Sequence, residues 1–205
     1  MVESGKLTNE RIDYNEPKLA KPGAGLPFFE WAIANYILVP RLLKNTSRES
    51  ALAAFKLESN KILALARSLS SSDFAQRRLI PRLRGLEDSS RFWSVAMTLH
   101  HLIIAGNGTR QIIVDLAHGG TTIPPVSTAD IKPDPNVDIT KVLQTFEEMS
   151  QRFLQDTTAL NVDAFPMATY PHPWFGPLNA SQWLKFAAPH ANIHRNQIKE
   201  IISRL

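Results

Sequence analysis

Four stretches of this chain carry apolar residues at alternating three- and four-residue steps, and that spacing narrows its fold more than any other feature. Such steps line up one stripe of side chains along a helix, and the stripe has to be buried against a partner. In the first stretch Leu52, Phe55, Ser59, Ile62, Ala66 and Leu69 repeat in this way, behind Ser47 as a candidate N-cap and ahead of the polar run Ser70 to Asp73. The second starts at Ser89 or Ser90 and carries Trp93, Met97, Ile104, Ile112, Ile113 and Leu116. It closes on His118-Gly119-Gly120, a cation at the negative helix end followed by glycine. The third shows Ile139, Val142, Phe146, Met149 and Phe153 behind the candidate cap Asp138, and the last starts at Asn179 and runs to the C-terminus. The expected helices therefore cover 48–70, 88–118, 137–158 and 179–204. No segment sustains the alternation of a half-buried strand, so the fold class is all-α, and four amphipathic helices of similar length imply a four-helix bundle.

Ahead of the bundle, residues 1–25 are polar and carry Pro17, Pro22, Gly23 and Gly25, which predicts a flexible N-terminal arm; residues 26–205 form the single helical domain. An extra short apolar helix is expected from Pro27 to about Lys44, interrupted near Pro40. The apolar segment Phe28 to Leu43 is placed either to cover the bundle or to pair two subunits as a homodimer. The start of the chain lacks the apolar run of a secretory signal, and Phe28 to Val39, broken by Glu30 and Asn35, is too short to span a bilayer. With no cysteine among 205 residues, disulfides, thiolate metal sites and a cysteine nucleophile are excluded, and the chain reads as cytoplasmic with no membrane partner. The net charge of +4 is concentrated in Arg77, Arg78, Arg82, Arg84 and Arg91, diluted by Glu87 and Asp88. No interleaved aromatics or recognised module accompany that cluster, so it reads as a solvated loop rather than a nucleic-acid surface.

Six histidines are present, and the pair His190 and His194 is the informative one. Residues four apart on a helix lie one above the other, so two imidazoles there can chelate one ion. Their face runs on through Gln197 and Ile201 and back through Phe186 and Trp183, so both sit on a core-facing stripe, where ring nitrogens need partners. On the second helix, His100 and His101 are adjacent, and only one of them can face the interior. Steps of four from Trp93 through Met97 favour His101, while His100, seven from Trp93, stays admissible. One histidine from this helix and two from the last place three imidazoles round an interior point, with a further position left for water or substrate. His118 reads as a helix end. Pro189, just before His190, predicts a kink.

Beyond spacing, Trp93-Ser94, then six residues, then His101-Leu102 resembles the W-S…H-L signature of the DinB/YfiT-like family. The run His172-Pro173-Trp174-Phe175-Gly176-Pro177-Leu178, then Trp183, then His190-x-x-x-His194-x-x-Gln197-Ile198 is similar to that family's loop and fourth helix, in the same order. The resemblance covers roughly Ser47 to Leu205 and leaves the arm and the short helix outside. It implies a four-helix bundle with a long crossover and a metal-binding histidine triad at His101, His190 and His194. Family members include bacillithiol S-transferases and mycothiol-dependent maleylpyruvate isomerases.

The expected function is accordingly a divalent-metal-dependent enzyme, a small-thiol-dependent transferase or isomerase, with metal-assisted hydrolysis as its neighbour. A non-catalytic metal-binding or structural bundle is the alternative. Imidazole donors suit zinc, nickel, copper or iron. The expected partner is a small-molecule substrate together with a low-molecular-weight thiol, and His172 in the proline-rich loop is placed to line the mouth of the pocket.

Overall fold

Three polar side chains set where the long helices begin. Ser47 accepts the Ser50 amide and Ser94 accepts the Met97 amide. Asn179 accepts the Gln182 amide, while the Gln182 side chain accepts the Asn179 amide in return. Each cap satisfies N–H groups that the first helical turn leaves open. The structure is a computed structural model that describes residues 16–120 and 123–205.

In chain order its elements are α1 (Phe28–Ile33), a π-helical turn (Ala34–Leu38), α2 (Val39–Asn45), α3 (Arg48–Arg67) and the short α4 (Ser71–Ala75). Strand β1 (Arg78–Leu79), a 3-10 turn (Asp88–Ser90) and β2 (Phe92–Trp93) precede α5 (Val95–Ala117). Then follow α6 (Val142–Ala159), β3 (Tyr170–His172), β4 (Gly176–Leu178) and α7 (Ala180–Ile202). The strands make two antiparallel two-stranded ribbons, β1 with β2 and β3 with β4.

The fold is the expected four-helix bundle, with the four long helices arranged as a ring. Around that ring α3 packs on α7, α7 on α5, α5 on α6, and α6 on α3. Helices α3 and α5, and likewise α6 and α7, therefore stand on opposite corners. An up-and-down bundle keeps consecutive helices adjacent. Here the links between α3 and α5 and between α6 and α7 cross a diagonal, and each carries one of the ribbons. The core between the corners is close-packed: the Phe55 and Phe153 rings lie 4.3 Å apart, and Ile62, Ile113, Leu116 and Ile198 are fully buried. Gly106 marks the tightest approach, since a Cβ there would come within 2.5 Å of Met149 Sδ. Arg48, at the start of α3, donates to the carbonyls of Thr157, Thr158 and Leu160 and so closes the end of α6.

Two helix starts fall later than the apolar spacing predicts. Trp93 lies in β2 and not on the helix, because Ser94 stands extended as the cap and α5 opens at Val95. Asp138 does not cap α6: its carboxylate accepts the Thr140 amide at 3.0 Å and hydroxyl at 2.6 Å, a local turn, and the helix opens four residues later at Val142. The arginine cluster is also more than a solvated loop. Arg77 sits over the Phe92 ring at 4.3 Å and pairs with Glu16, Arg78 donates to the Arg204 carbonyl, Arg82 pairs with Glu30, and Arg91 with Asp88.

Of the expected arm, residues 1–15 lie outside the described residues. Residues 16–25 are held down: the Ala20 amide donates to Asp88, and the Gly23 and Gly25 amides donate to Glu87 Oε1. The expected short helix is present, and Pro40 does not break it. Proline has no N–H to give to the Tyr36 carbonyl and its ring crowds the turn before it. The chain widens ahead of Pro40 instead, with the Val39 amide reaching five residues back to the Ala34 carbonyl. Likewise α7 runs without interruption through Pro189.

Candidate metal centre

His101 on α5 and His190 and His194 on α7 meet between the two helices, with one ring nitrogen from each lying within 4.8 Å of the other two. His101 Nε2 and His190 Nε2 are 3.3 Å apart. Two nitrogens each about 2.05 Å from a tetrahedral ion stand about 3.3 Å from one another, so this pair has the span a metal requires. His100 points elsewhere: its Nδ1 accepts the Asp134 amide at 3.0 Å. Of the adjacent pair, His101 and not His100 joins the cluster.

The surrounding hydrogen bonds decide which nitrogens are free. His101 Nδ1 lies 2.7 Å from the Ile131 carbonyl, which can only accept, so the proton is on Nδ1 and the lone pair on Nε2. His194 Nδ1 lies 2.7 Å from Gln197 Oε1. The Gln197 amide nitrogen donates to the Ser90 carbonyl at 2.7 Å, and that contact holds the amide with its oxygen towards His194. His194 is thus also protonated on Nδ1, with Nε2 free. Such partners behind a ligating ring orient it and raise its basicity. Trp93 closes the back wall, stacked within 7° of the His194 ring and 5.2 Å from the His101 ring.

Burial keeps all three rings neutral. It pushes His101 down to about 3, with His190 beside it as the next cause, His190 down to about 4, and His194 well below its ordinary value. Lys132 adds to the effect on His101 and His194. Its ammonium lies 5.0 Å from the centre of the Trp93 ring and 3.4 Å from Glu87 Oε2. Metal ligation needs the neutral imidazole, so at neutral pH the triad is in its binding state. Donor type, tautomers and span all fit a divalent ion.

The triad borders a cavity of about 880 Å³. His172 lines it too, at the end of β3 within the proline-rich loop, packed against the rings of Phe175, Trp183 and Phe186 at 4.8, 5.1 and 5.3 Å. Burial pushes it down to about 3. Its Nδ1 accepts the Trp174 amide at 3.2 Å, so the proton sits on Nε2 and the ring offers one hydrogen-bond donor. His118 stands where its helix-end reading put it, exposed, with Nδ1 on the Val114 carbonyl and Gly119 after it at φ 102°.

Sequence reasoning left three contributors without a role: Gln197, Lys132 and the Ile131 carbonyl. Gln197 carried a signal, three residues beyond His194 on the same buried face. The other two come from the link between α5 and α6, where no periodicity points inward.

A sequence model of the DinB superfamily matches residues 54–198, from within α3 to within α7. No curated protein sequence matches the chain. Among solved structures, "YfiT from Bacillus subtilis is a probable metal-dependent hydrolase with an unusual four-helix bundle topology" is similar, with a TM-score of 0.56 and 17% identity over 77% of this chain and 87% of that one. That likeness is one of fold, and it includes the bundle.

Proposed function

The chain belongs to the DinB superfamily, and from that premise we propose that it is a divalent-metal-dependent enzyme whose ion is held by His101, His190 and His194 and which transfers or isomerises with a low-molecular-weight thiol. The observation that carries this reading is the coincidence of a ready ligand set with substrate space. The triad's neutral rings, two of them with Nδ1 occupied and Nε2 free, border the same large cavity. A divalent ion bound there supplies Lewis acidity, which brings the pKa of a thiol or of water towards neutrality.

The chain's own groups favour the thiol as nucleophile. Water on the ion would also lose its proton more readily, but no free carboxylate stands by to assist it, because the two bordering the cavity are both engaged. Glu30 accepts from Arg82 and the Gly85 amide, and Glu87 accepts from Ser89 and the Gly23 and Gly25 amides beside Lys132. Hydrogen bonds hold the Glu87 carboxyl below its ordinary range despite its burial. A thiol, with an unperturbed pKa of about 8.5, gives up its proton to solvent without such a base. In the transfer, sulfur forms a bond to the electrophilic carbon and the leaving group departs with the bonding pair. His172 can donate a hydrogen bond from Nε2 to that group. With no cysteine in the chain, the sulfur comes from a cosubstrate.

Metal-dependent hydrolysis is the second reading, favoured by the description of the structurally similar YfiT. The experiment combines metal analysis of the purified protein with a conjugation assay using a bacillithiol- or mycothiol-like thiol and an activated electrophile. Turnover that needs both thiol and metal, and that a chelator abolishes, is the expected result. Chelator-sensitive ester cleavage without thiol would assign hydrolysis instead, and bound metal with neither activity would leave a structural centre.

A further inference from the structure

The superfamily match begins at residue 54, yet part of the cavity wall is built from residues ahead of it. Leu26, Ile33, Ala34, Leu38, Val39 and Leu42, from the segment containing α1, the π turn and α2, all face the cavity. Opposite them stand Phe146, Met149 and Phe153 of α6 and the aromatic group round His172. Ile33 and Leu38 are 52% and 56% exposed, so these wall side chains present open hydrocarbon surface and not a packed core. The charged side chains bordering it are Glu30, Glu87 and Lys132, all three paired, and Arg84, which is exposed to solvent. Ser59 also lines the cavity and is buried with a hydroxyl that has no partner among the described residues.

The segment is fixed across the cavity by polar clasps. Glu30 binds Arg82 and the Gly85 amide, Trp31 Nε1 donates to the Trp174 carbonyl at 2.9 Å, and Lys185 donates to the Leu43 carbonyl at 2.8 Å. These contacts hold an apolar wall in place although nothing in the segment is buried.

From these walls we infer that the substrate has an extended, uncharged alkyl body, which lies along the inner face of residues 26–42 with its reactive end at the histidines. The inference rests on the proposed function only for the placement of the reactive end. The apolar grip comes from the chain alone and needs no metal. Burying a methylene contributes about 0.8 kcal/mol, so each added carbon tightens binding by up to about fourfold until the cavity is filled. Only substrates long enough to reach the N-terminal wall gain the full effect.

The test uses full-length, metal-free protein and the neutral n-alkyl primary amides with six, eight, ten and twelve carbons, each below its aggregation limit, with binding read by calorimetry. Affinity should rise two- to fourfold per methylene over at least part of the series. Leu38→Glu should weaken dodecanamide binding at least tenfold while zinc uptake by the triad stays unchanged. Phe29→Glu, on the same helix but 80% exposed and away from the cavity, should leave both intact. Unfolding curves on each variant separate lost binding from lost fold; should Leu38→Glu not fold, Leu42→Asn takes its place. Affinity that ignores chain length, or equal loss in Phe29→Glu and Leu38→Glu, would overturn the inference. Failure of the triad to take up zinc with the chain-length series intact would sink the proposed enzyme and leave this pocket standing.

Discussion

At its histidine end the cavity is backed by buried side chains with determined partners: Trp93 stacked on His194, Gln197 locked between His194 and Ser90, and the Ile131 carbonyl on His101. Along residues 28–45 the opposite holds. No side chain there is buried, Phe28, Phe29 and Tyr36 are 71%, 80% and 70% exposed, and attachment depends on a few polar contacts. Preorganised ligands need locked rotamers, and the site has them. A wall that only has to present hydrocarbon does not, and opening free energies differ widely across one fold according to such contacts. The lesson is that the two ends of this cavity are held with very different stiffness.

The largest effect should come from striking the rigid end. Replacing His101, His190 or His194 singly by Ala leaves two protein ligands, and elemental analysis should find nearly all metal lost in each variant. His100→Ala should retain it, because that ring serves the Asp134 amide. Full retention in His101→Ala would dismantle the triad.

Acid should strike the same end in the metal-free protein. The histidines have folded pKa values near 3 for His101 and His172 and near 4 for His190, against about 6.5 unfolded. The unfolded chain therefore binds more protons below that point, and stability, complete above about pH 6.5, should fall steeply as pH drops towards 4, by up to about 3 kcal/mol per histidine. Urea midpoints across that range check it. A flat profile would mean the rings are not buried neutral. Gln197→Leu comes next. It removes the acceptor behind His194 and should weaken metal binding about 10–100-fold, with the fold retained.

The smallest expected effect tests the loose end. Glu30→Gln should raise hydrogen exchange along 28–45 by the equivalent of roughly 1–2 kcal/mol, while α5 and α7 keep their protection and the metal stays bound. Loss of protection throughout would show that the two regions are one cooperative unit.

How legible all this was in the sequence followed the same division. The bundle was readable because Ser47 and Asn179 cap long stripes whose packing obeys helical periodicity. The cluster was readable because two of its members sit four apart on one such stripe. Periodicity misled where a side chain found a local partner first. Asp138 closes a turn on Thr140 and delays α6, and Trp93 shares the spacing of α5 while lying in β2. The groups that set the tautomers escaped because one is a backbone carbonyl thirty residues from its histidine, and no side-chain pattern records a carbonyl. The diagonal arrangement escaped too, since a long link can join neighbours, as between α5 and α6, or cross a diagonal.

The widened turn ahead of Pro40 has a geometric consequence of its own. A π turn inside a helix is an α-helix carrying one surplus residue, and each residue turns the axis by about 100°. Were the same residues all wound as ordinary α-helix, everything upstream would rotate by about that angle. Glu30 and Trp31 would swing away from Arg82 and Trp174 while the helix itself stayed helical. The surplus residue works as a phase setting: it aims the two clasping side chains of α1 at the bundle while Val39 and Leu42, below the turn, face the cavity.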